Sequence, residues 1–384
     1  MGLHVAVVSG SRADFGPLRP LIVGMRDEPR IRLSTIVCAV AAHDEAERQV
    51  AALTSSGLTP DAVVTADEPG PPLPMAAQAA RALDGVASRL EELGPDVVVL
   101  LGDRFEILAA ATAAHLLRIP IVHLSGGDET LGSLDDAMRH AISRLASLHL
   151  PTNDESARRL RALGVPTDRI VVAGSTALDA LTAFTPLDRH DLGTELGVEL
   201  GERVITVTYH AATLVDEPPA DTFEALLAGI SDAAPDATVI VTNSNADEGG
   251  TAIDAAAVAA ATENPLVTLV RSLGTERYWS LLYHSDAVVG NSSSALIEAP
   301  VVGVPVVDVG ARQASRLRAE SCIQAAAERG AIAAAVAEAL SRPRSPEPSP
   351  YGDGRAVPRI LELLCALDDP AKLLEPRPLL PVAT

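Results

Sequence analysis

The sequence has 384 residues, of which 47% are hydrophobic and 2% aromatic, and its formal net charge is -21. A chain of this length is too long to fold around a single hydrophobic core, so we expect a globular protein of two domains with mainly aliphatic interiors. The acidic balance argues against a nucleic-acid partner and against adhesion to an anionic membrane.

The cysteines and the N-terminus indicate a reducing compartment. Cys38, Cys322 and Cys365 are far apart and have no metal-ligand spacing, so we expect neither a disulfide framework nor a metal site. The first ten residues enter a strand pattern without a basic, long apolar leader, and no apolar stretch is long enough to span a bilayer. These features predict a cytoplasmic protein.

Short β-branched runs alternate with longer runs of helical spacing along the whole chain. In the first half the predicted strands are His4–Val8, Ile31–Val40, Asp96–Leu101, Ile119–Leu124 and Ile170–Ala173. In the second half they are Val204–Thr208, Thr238–Thr242, Leu266–Val270, Asp286–Val289 and Val304–Val309. Apolar strands separated by helices predict an α/β fold with parallel sheets covered on both faces, and ligands bound beyond the strands' carboxyl ends.

A polar stretch from Thr185 to Arg203 separates the two series of strands. It predicts an N-terminal domain of residues 1–184 and a second domain of residues 185–350. The proline-rich stretch Ser341–Gly354 then leads to a C-terminal helix and tail, residues 351–384, which we expect to pack back on the first domain.

Polar residues follow two strands of the first half. Arg12, after the first strand, is either a phosphate ligand or a surface arginine paired with Asp14. The surrounding pattern is not GxGxxG, so no nicotinamide cofactor is predicted. Asp103 is either a helix N-cap or a general acid or base.

Ionisable residues are dense after the next strand. Asp128 follows two glycines, and Asp135, Asp136, Arg139 and His140 come shortly after. The segment is either a solvated loop or a site where crowding raises a carboxyl pKa. The helical spacing from Asp136 predicts that the arginine and the histidine share its face.

The second half offers a nucleotide site at its strand ends. In the run Gly290–Pro300, amides near the helix start would hold a phosphate and Glu298 would reach a ribose, although an ordinary serine-rich cap is the alternative. His210 ends another strand. The other candidate binding residues are Asn243, Ser292, Ser293, Ser294, Arg312 and Arg316.

Together these segments resemble the hydrolysing UDP-N-acetylglucosamine 2-epimerase family, in its sialic and legionaminic acid precursor branch. The specific pieces are SGSRADFG, LGDRFEILAAATAA, GGDETLG, LDDAMRHAISRLASLHL, VTYHAATL, GNSSSALIEAP and ARQASRLRAES, between about Val5 and Ile323. The non-hydrolysing branch carries His-Val-Glu-Ala-Gly and Thr-His-Arg motifs, which this chain lacks.

The resemblance implies two Rossmann-like domains of the glycosyltransferase-B type, with the active site in the interdomain cleft, and a homodimer or homotetramer. It implies removal of the C2 proton of a UDP-N-acetylhexosamine, loss of UDP to leave a 2-acetamidoglucal, and addition of water to give an N-acetylmannosamine-type sugar. No metal or other cofactor is implied.

The resemblance also implies residue roles. Asp103, Asp128 and Asp135 would be the acid and base carboxylates, with Arg12 and His210 at the sugar diphosphate. Where relatives usually read His-x-His-Gly-Gly-Glu, this chain has Ser125 and Asp128 at the last two polar positions. A glycosyltransferase of the same fold, or a non-catalytic nucleotide-sugar-binding relative, are the alternatives.

Overall fold

The structure is a computed structural model, and it describes residues 2–10, 12–40, 43–55, 57–65, 73–130, 133–211, 218–242, 249–270 and 273–375, without the side chains of Arg12, Ala13, His43, Asp44, Glu45 and Arg48. The chain forms two compact units. The first comprises the described residues within Met1–Asp128, Asp135–Ala180 and Tyr351–Thr384. The second comprises those within Glu129–Leu134 and Leu181–Pro350.

The described residues of each unit form one six-stranded parallel sheet. The strands of the first sheet are β1 Leu3–Ser9, β2 Ile31–Ala39, β3 Ala62–Thr65, β4 Val97–Leu101, β5 Ile121–Leu124 and β6 Leu148–Leu150. Those of the second are β7 Val204–Thr208, β8 Thr238–Thr242, β9 Val267–Val270, β10 Ala287–Gly290, β11 Val306–Val309 and β12 Cys322–Ala325.

Helices connect these strands. They are α1 Arg12–Asp27, α2 His43–Ser55, α3 Met75–Leu93, α4 Phe105–Leu116, α5 Asp135–Leu145, α6 Asp154–Ala162, α7 Ala177–Leu181, α8 Arg189–Leu196, α9 Pro219–Ala233, α10 Gly250–Glu263, α11 Gly274–His284, α12 Ser293–Ile297, α13 Ala299–Val302, α14 Arg329–Ser341 and α15 Ala356–Cys365. Short 3₁₀ helices span Thr167–Arg169 and Pro370–Leu374. Among the described helices, none has the length and apolar character needed to cross a bilayer.

The strand order places a switch point in each sheet. The first sheet has the order β3-β2-β1-β4-β5-β6, and the second has the order β12-β11-β10-β7-β8-β9. The direction in which successive strands are added across the sheet reverses between β1 and β4 in the first unit and between β10 and β7 in the second. Open α/β sheets bind ligands in the crevice that such a reversal leaves at the carboxyl ends of the strands.

Both faces of each sheet are buried. In the first unit, Leu18 and Leu21 of α1 and Ile360 and Leu364 of α15 share a core with β1 and β4, while α3 and α4 cover the other face. In the second unit, α9, α10 and α14 cover one face and α8 and α11 the other. Sheets buried on both faces need continuous apolar strands, which is the pattern that the sequence shows.

The predicted fold class, two parallel α/β halves, is confirmed. The strand predicted at Ile170–Ala173 is wrong. Ile170 forms only an isolated bridge with His149 of β6, at the edge of the sheet, and Val171 and Val172 after it are exposed. The short strands β3, β6 and β12, which lie at sheet edges, were not predicted.

Candidate active site

Asp103 lies at the carboxyl end of β4, beside the first switch point. Gly102 before it has φ +88°, a conformation that favours glycine and turns the chain out of the strand. His123 of β5 fixes this turn, because its Nε2 donates to the Gly102 carbonyl at 2.8 Å and its Nδ1 accepts from the Ser143 hydroxyl at 3.1 Å. Burial lowers the pKa of His123 to about 4, so this imidazole is neutral and acts as a support.

Arg139 of α5 joins the aspartates of the first unit. Its Nη2 donates to the Asp103 carboxylate, and its Nη1 donates to the Asp128 carbonyl at 3.0 Å. The same Nη1 lies 3.6 Å from Asp136, which in turn lies 3.6 Å from Nε2 of His140. Arg139 is buried, whereas the side chain of Asp103 is 21% exposed. A fixed guanidinium therefore orients a carboxylate that a ligand can reach.

The Asp128 side chain is held by hydroxyl groups. Its Oδ1 accepts from Ser156 at 2.6 Å and from Thr152 at 3.3 Å. Gly127 has φ +82°, and a methyl group there would lie 2.2 Å from the Ser156 carbonyl oxygen, so only glycine fits. Ser125 also has a positive φ of 59°, which is uncommon for a residue with a side chain and is found at functional sites.

Glu106 and Asp14 form a buried acidic pair that the sequence analysis did not identify. A methyl group on Gly10 would lie 3.0 Å from Cβ of Glu106 and 3.3 Å from Oδ2 of Asp14, so both side chains pack against the turn after β1. Among the described residues neither Glu106 oxygen has a hydrogen-bond partner, although Nε of Arg104 is 3.4 Å away. Burial, and then the charge of Asp14, raises the pKa of Glu106 to about 7.

In the second unit, Asn291 links the two strands at the switch point. Its side chain accepts from the His210 N–H and donates to the His210 carbonyl, both at 2.8 Å. Gly290 before it has φ +146°, and a methyl group there would lie 1.9 Å from the Thr208 carbonyl oxygen. Burial, with the nearby charge of Arg312, lowers the pKa of His210 to about 3, so His210 is a neutral imidazole.

The candidate phosphate and ribose residues follow Asn291. Ser292 occupies the N-cap position of α12, which is a single turn, without a side-chain capping bond, and its hydroxyl lies 3.0 Å from that of Ser294. Glu298, between α12 and α13, is 9% exposed and accepts from Nε1 of Trp279 at 3.1 Å. Burial raises the pKa of Glu298 to about 7, and the bond from Trp279 partly opposes this.

The three arginines after β11 have different partners. Nη1 of Arg312 donates to the Asn291 carbonyl at 3.1 Å, and Arg316 donates to the Glu129 carbonyl and the Thr130 hydroxyl at 3.2 Å each. Arg318 pairs with buried Asp308 at 2.7 Å. Arg312 and Arg316 thus stay near residues that can face a ligand, whereas Arg318 supports the fold.

Arg12, Asn243 and Asp135 were also predicted to belong to the site. Arg12 begins α1, but its side chain lies outside the described part, as does all of Asn243. Asp135 is half-buried at the start of α5, one residue before Asp136. Within the described ranges, no three His, Cys, Asp or Glu side chains are arranged to hold a metal ion.

The chain matches a known protein family along most of its length. The profile of the family described as UDP-N-acetylglucosamine 2-epimerase matches residues 25–365. The chain belongs to this family. It is therefore an enzyme, and the family resemblance seen in the motifs is confirmed.

The chain is similar to two bacterial proteins over most of its length. It is 32% identical to a GDP/UDP-N,N'-diacetylbacillosamine 2-epimerase (hydrolyzing) of Campylobacter jejuni, covering 83% of each chain. It is 30% identical to a UDP-N,N'-diacetylbacillosamine 2-epimerase (hydrolyzing) of Legionella pneumophila, covering 94% of this chain and 95% of the relative. Its fold matches that of a Neisseria meningitidis UDP-GlcNAc 2-epimerase bound to UDP-GlcNAc, with TM-score 0.79 at 19% identity over 94% of this chain and 99% of that chain.

Four supporting residues, Arg139, Asn291, Trp279 and Glu106, were missed by the sequence analysis as parts of the site. A signal existed for Arg139, which the helical spacing from Asp136 predicted to share a face with that aspartate. The roles of the other three depend on contacts between segments distant in sequence, such as the bonds between Asn291 and His210, 81 residues apart.

Proposed function

We propose that this enzyme is a hydrolysing 2-epimerase of a UDP-2-acetamido sugar, either UDP-N-acetylglucosamine or a close derivative. It converts the nucleotide sugar and water into UDP and a free sugar of inverted C2 configuration, of the N-acetylmannosamine type. The observation that carries the proposal is the acidic cluster in which Arg139 orients the accessible Asp103 carboxylate beside Asp128.

The reaction balances in two steps. A base removes the C2 proton, the C2–H electron pair forms the C1–C2 double bond, and the C1–O pair leaves with UDP. Water then adds its oxygen to C1, while C2 gains a proton on the opposite face. The C2–H bond is weakly acidic, so the enzyme must stabilise charge on the departing diphosphate while a positioned carboxylate takes the proton.

Asp103, Asp128 and Asp135 are the proposed acid and base residues. The proposed role of Asp103 is supported by its partly exposed carboxylate, which a buried guanidinium holds in place. Asp128 is buried and hydrogen-bonded through one oxygen to Ser156 and Thr152. The substitution of Asp for the usual Glu is thus accommodated by hydroxyl groups that fix the shorter side chain.

The second unit and Arg12 bind the nucleotide in this proposal. The amides that follow Ser292, with Arg312 or Arg316, hold the diphosphate and the base, and Glu298 binds the ribose hydroxyls. Arg12 and neutral His210 contact the sugar diphosphate. We further propose a homo-oligomeric enzyme of the cytoplasm.

The substrate is tested by UDP release from a panel that includes UDP-N-acetylglucosamine and UDP-N,N'-diacetylbacillosamine, with no acceptor present. The second sugar is included because two relatives at least 30% identical to this chain are named for it. Release of UDP together with a free 2-epimerised sugar supports the proposal. Turnover that requires an added acceptor would identify a glycosyltransferase instead, and tight binding without turnover a non-catalytic protein.

Asp103→Asn tests the residue assignment. It keeps the shape of the side chain and removes the base, so turnover falls by about a thousandfold or more while the Kd for UDP stays within about twofold of wild type. Undiminished turnover by this variant would remove Asp103 from the reaction.

A further inference from the structure

Helix α11 places consecutive side chains against the two ends of the segment that carries α12. The Tyr278 hydroxyl lies 2.7 Å from the Ser294 hydroxyl, and Nε1 of Trp279 donates to Oε1 of Glu298 at 3.1 Å. In the function proposed above, the serine end holds the diphosphate and Glu298 holds the ribose. One helix therefore contacts both parts of the nucleotide site.

We propose that Tyr278 and Trp279 are positioning residues of this site, and that Trp279, acting through Glu298, sets the preference for a nucleotide whose ribose carries its hydroxyl groups. The inference rests on the proposed function, because it takes Glu298 to be the ribose ligand. It adds two residues that carry no functional signal in the sequence.

The geometry at Glu298 supports the selectivity step. Glu298 is nine-tenths buried, and its Oε1 accepts a hydrogen bond from the indole N–H of Trp279. Among the described residues no donor reaches Oε2, which leaves that oxygen for a ligand hydroxyl. A carboxyl group fixed at one oxygen presents the other in a single direction, so less rotational freedom is lost when a diol binds.

The indole is itself fixed. Trp279 is 4% exposed, and its ring packs edge-on against Phe184 with centroids 5.3 Å apart and planes at 66°. Because the ring is held in this way, the indole N–H of Trp279 points in one direction only. Replacing the indole by a phenyl ring keeps much of this apolar packing and removes the N–H that reaches Glu298.

Tyr278 acts at the other end of the segment. Burial raises the pKa of its phenol above the usual range, so it stays a neutral hydroxyl group. Its bond to Ser294 continues to Ser292 at 3.0 Å, which forms a chain of three hydroxyl groups along the proposed diphosphate site. Removing the phenol oxygen would leave the serine hydroxyls more able to rotate.

The two variants Trp279→Phe and Tyr278→Phe are matched controls for each other, since each removes one hydrogen-bonding group from the same helix. Calorimetry measures their affinities for UDP, for uridine and for 2',3'-dideoxyuridine diphosphate. We expect Trp279→Phe to raise the Kd for UDP about tenfold and the Kd for the dideoxy ligand less than about twofold, so that the preference for ribose is lost. We expect Tyr278→Phe to raise the Kd for UDP and to leave the Kd for uridine within about twofold of wild type.

If Trp279→Phe weakens the binding of UDP and of the dideoxy ligand by the same factor, the preference for ribose is unchanged. This result would overturn the inference while leaving the proposed function intact. A wild-type protein that does not bind UDP would overturn both. Trp279 is the only tryptophan in the chain, so its fluorescence provides an independent check. Its emission should change on binding UDP, and an emission that stays constant at saturating UDP would count against contact with the site.

Discussion

Replacing Glu106 by Gln should change how the stability of the first unit depends on pH. Glu106 is fully buried, and burial raises its pKa from 4.5 to about 7 in the folded protein. Between these two values the folded state binds more protons than the unfolded chain. The contribution of Glu106 to stability is therefore complete below pH 4.5 and is lost as the pH rises through 7.

The magnitude follows from the shift. Each pKa unit corresponds to about 1.4 kcal/mol, so the full effect is about 3 kcal/mol, of which about 2 to 3 kcal/mol is expressed between about pH 5 and pH 8. The glutamine variant carries no titrating group at this position. Its stability relative to wild type should rise by that amount over this range, and the constant cost of burying an amide cancels in the comparison.

Urea unfolding followed by circular dichroism at several pH values measures this difference. Glu91→Gln, at an exposed position on helix α3, is the matched control and should show no such trend. If the stability difference between Glu106→Gln and wild type stays constant from about pH 5 to pH 8, Glu106 does not titrate in this range and the reasoning fails.

Three further substitutions test the supports of the site. Arg139→Lys keeps the charge but loses the planar fork, so kcat should fall by about tenfold or more while the Kd for UDP is unchanged; a normal kcat would contradict the role assigned to the guanidinium. Gly290→Ala should destabilise the protein by at least about 2 kcal/mol in thermal unfolding, because the added methyl group would lie 1.9 Å from the Thr208 carbonyl oxygen; wild-type stability would refute the close approach. Ser156→Ala removes the 2.6 Å bond to the Asp128 carboxylate and should lower kcat by about tenfold with KM little changed; a change in KM alone would indicate a binding role.

The sequence predicted the strands well where they were long and apolar. Val204–Thr208 and Thr238–Thr242 were predicted with the bounds that the structure shows, and other central strands differ by one or two residues at an end. The edge segments were harder, because Ile170 forms a single bridge and β6 has three residues. A pattern of alternating elements identifies the layers of a fold but not which short edge segment pairs with which neighbour.

The candidate site was predicted in part, since the motif residues lie at strand ends whose position follows from the alternation. Asp103 and Asp128 could be named because glycines and a carboxylate after a strand are a local signal. The partners that orient them could not be named in the same way. Arg139 reaches Asp103 across 36 residues and Trp279 reaches Glu298 across 19, and such contacts depend on how helices pack on the sheet.

The central claim is that an enzyme carboxylate removes the proton at C2 of a UDP-2-acetamido sugar as UDP departs. NMR of the products formed in D₂O from the sugar-nucleotide panel tests it most directly. We predict a free sugar of inverted C2 configuration with deuterium at C2 in wild type, and no such product from Asp103→Asn. A released sugar that keeps its original hydrogen at C2 would contradict proton abstraction and the catalytic role proposed for the aspartates.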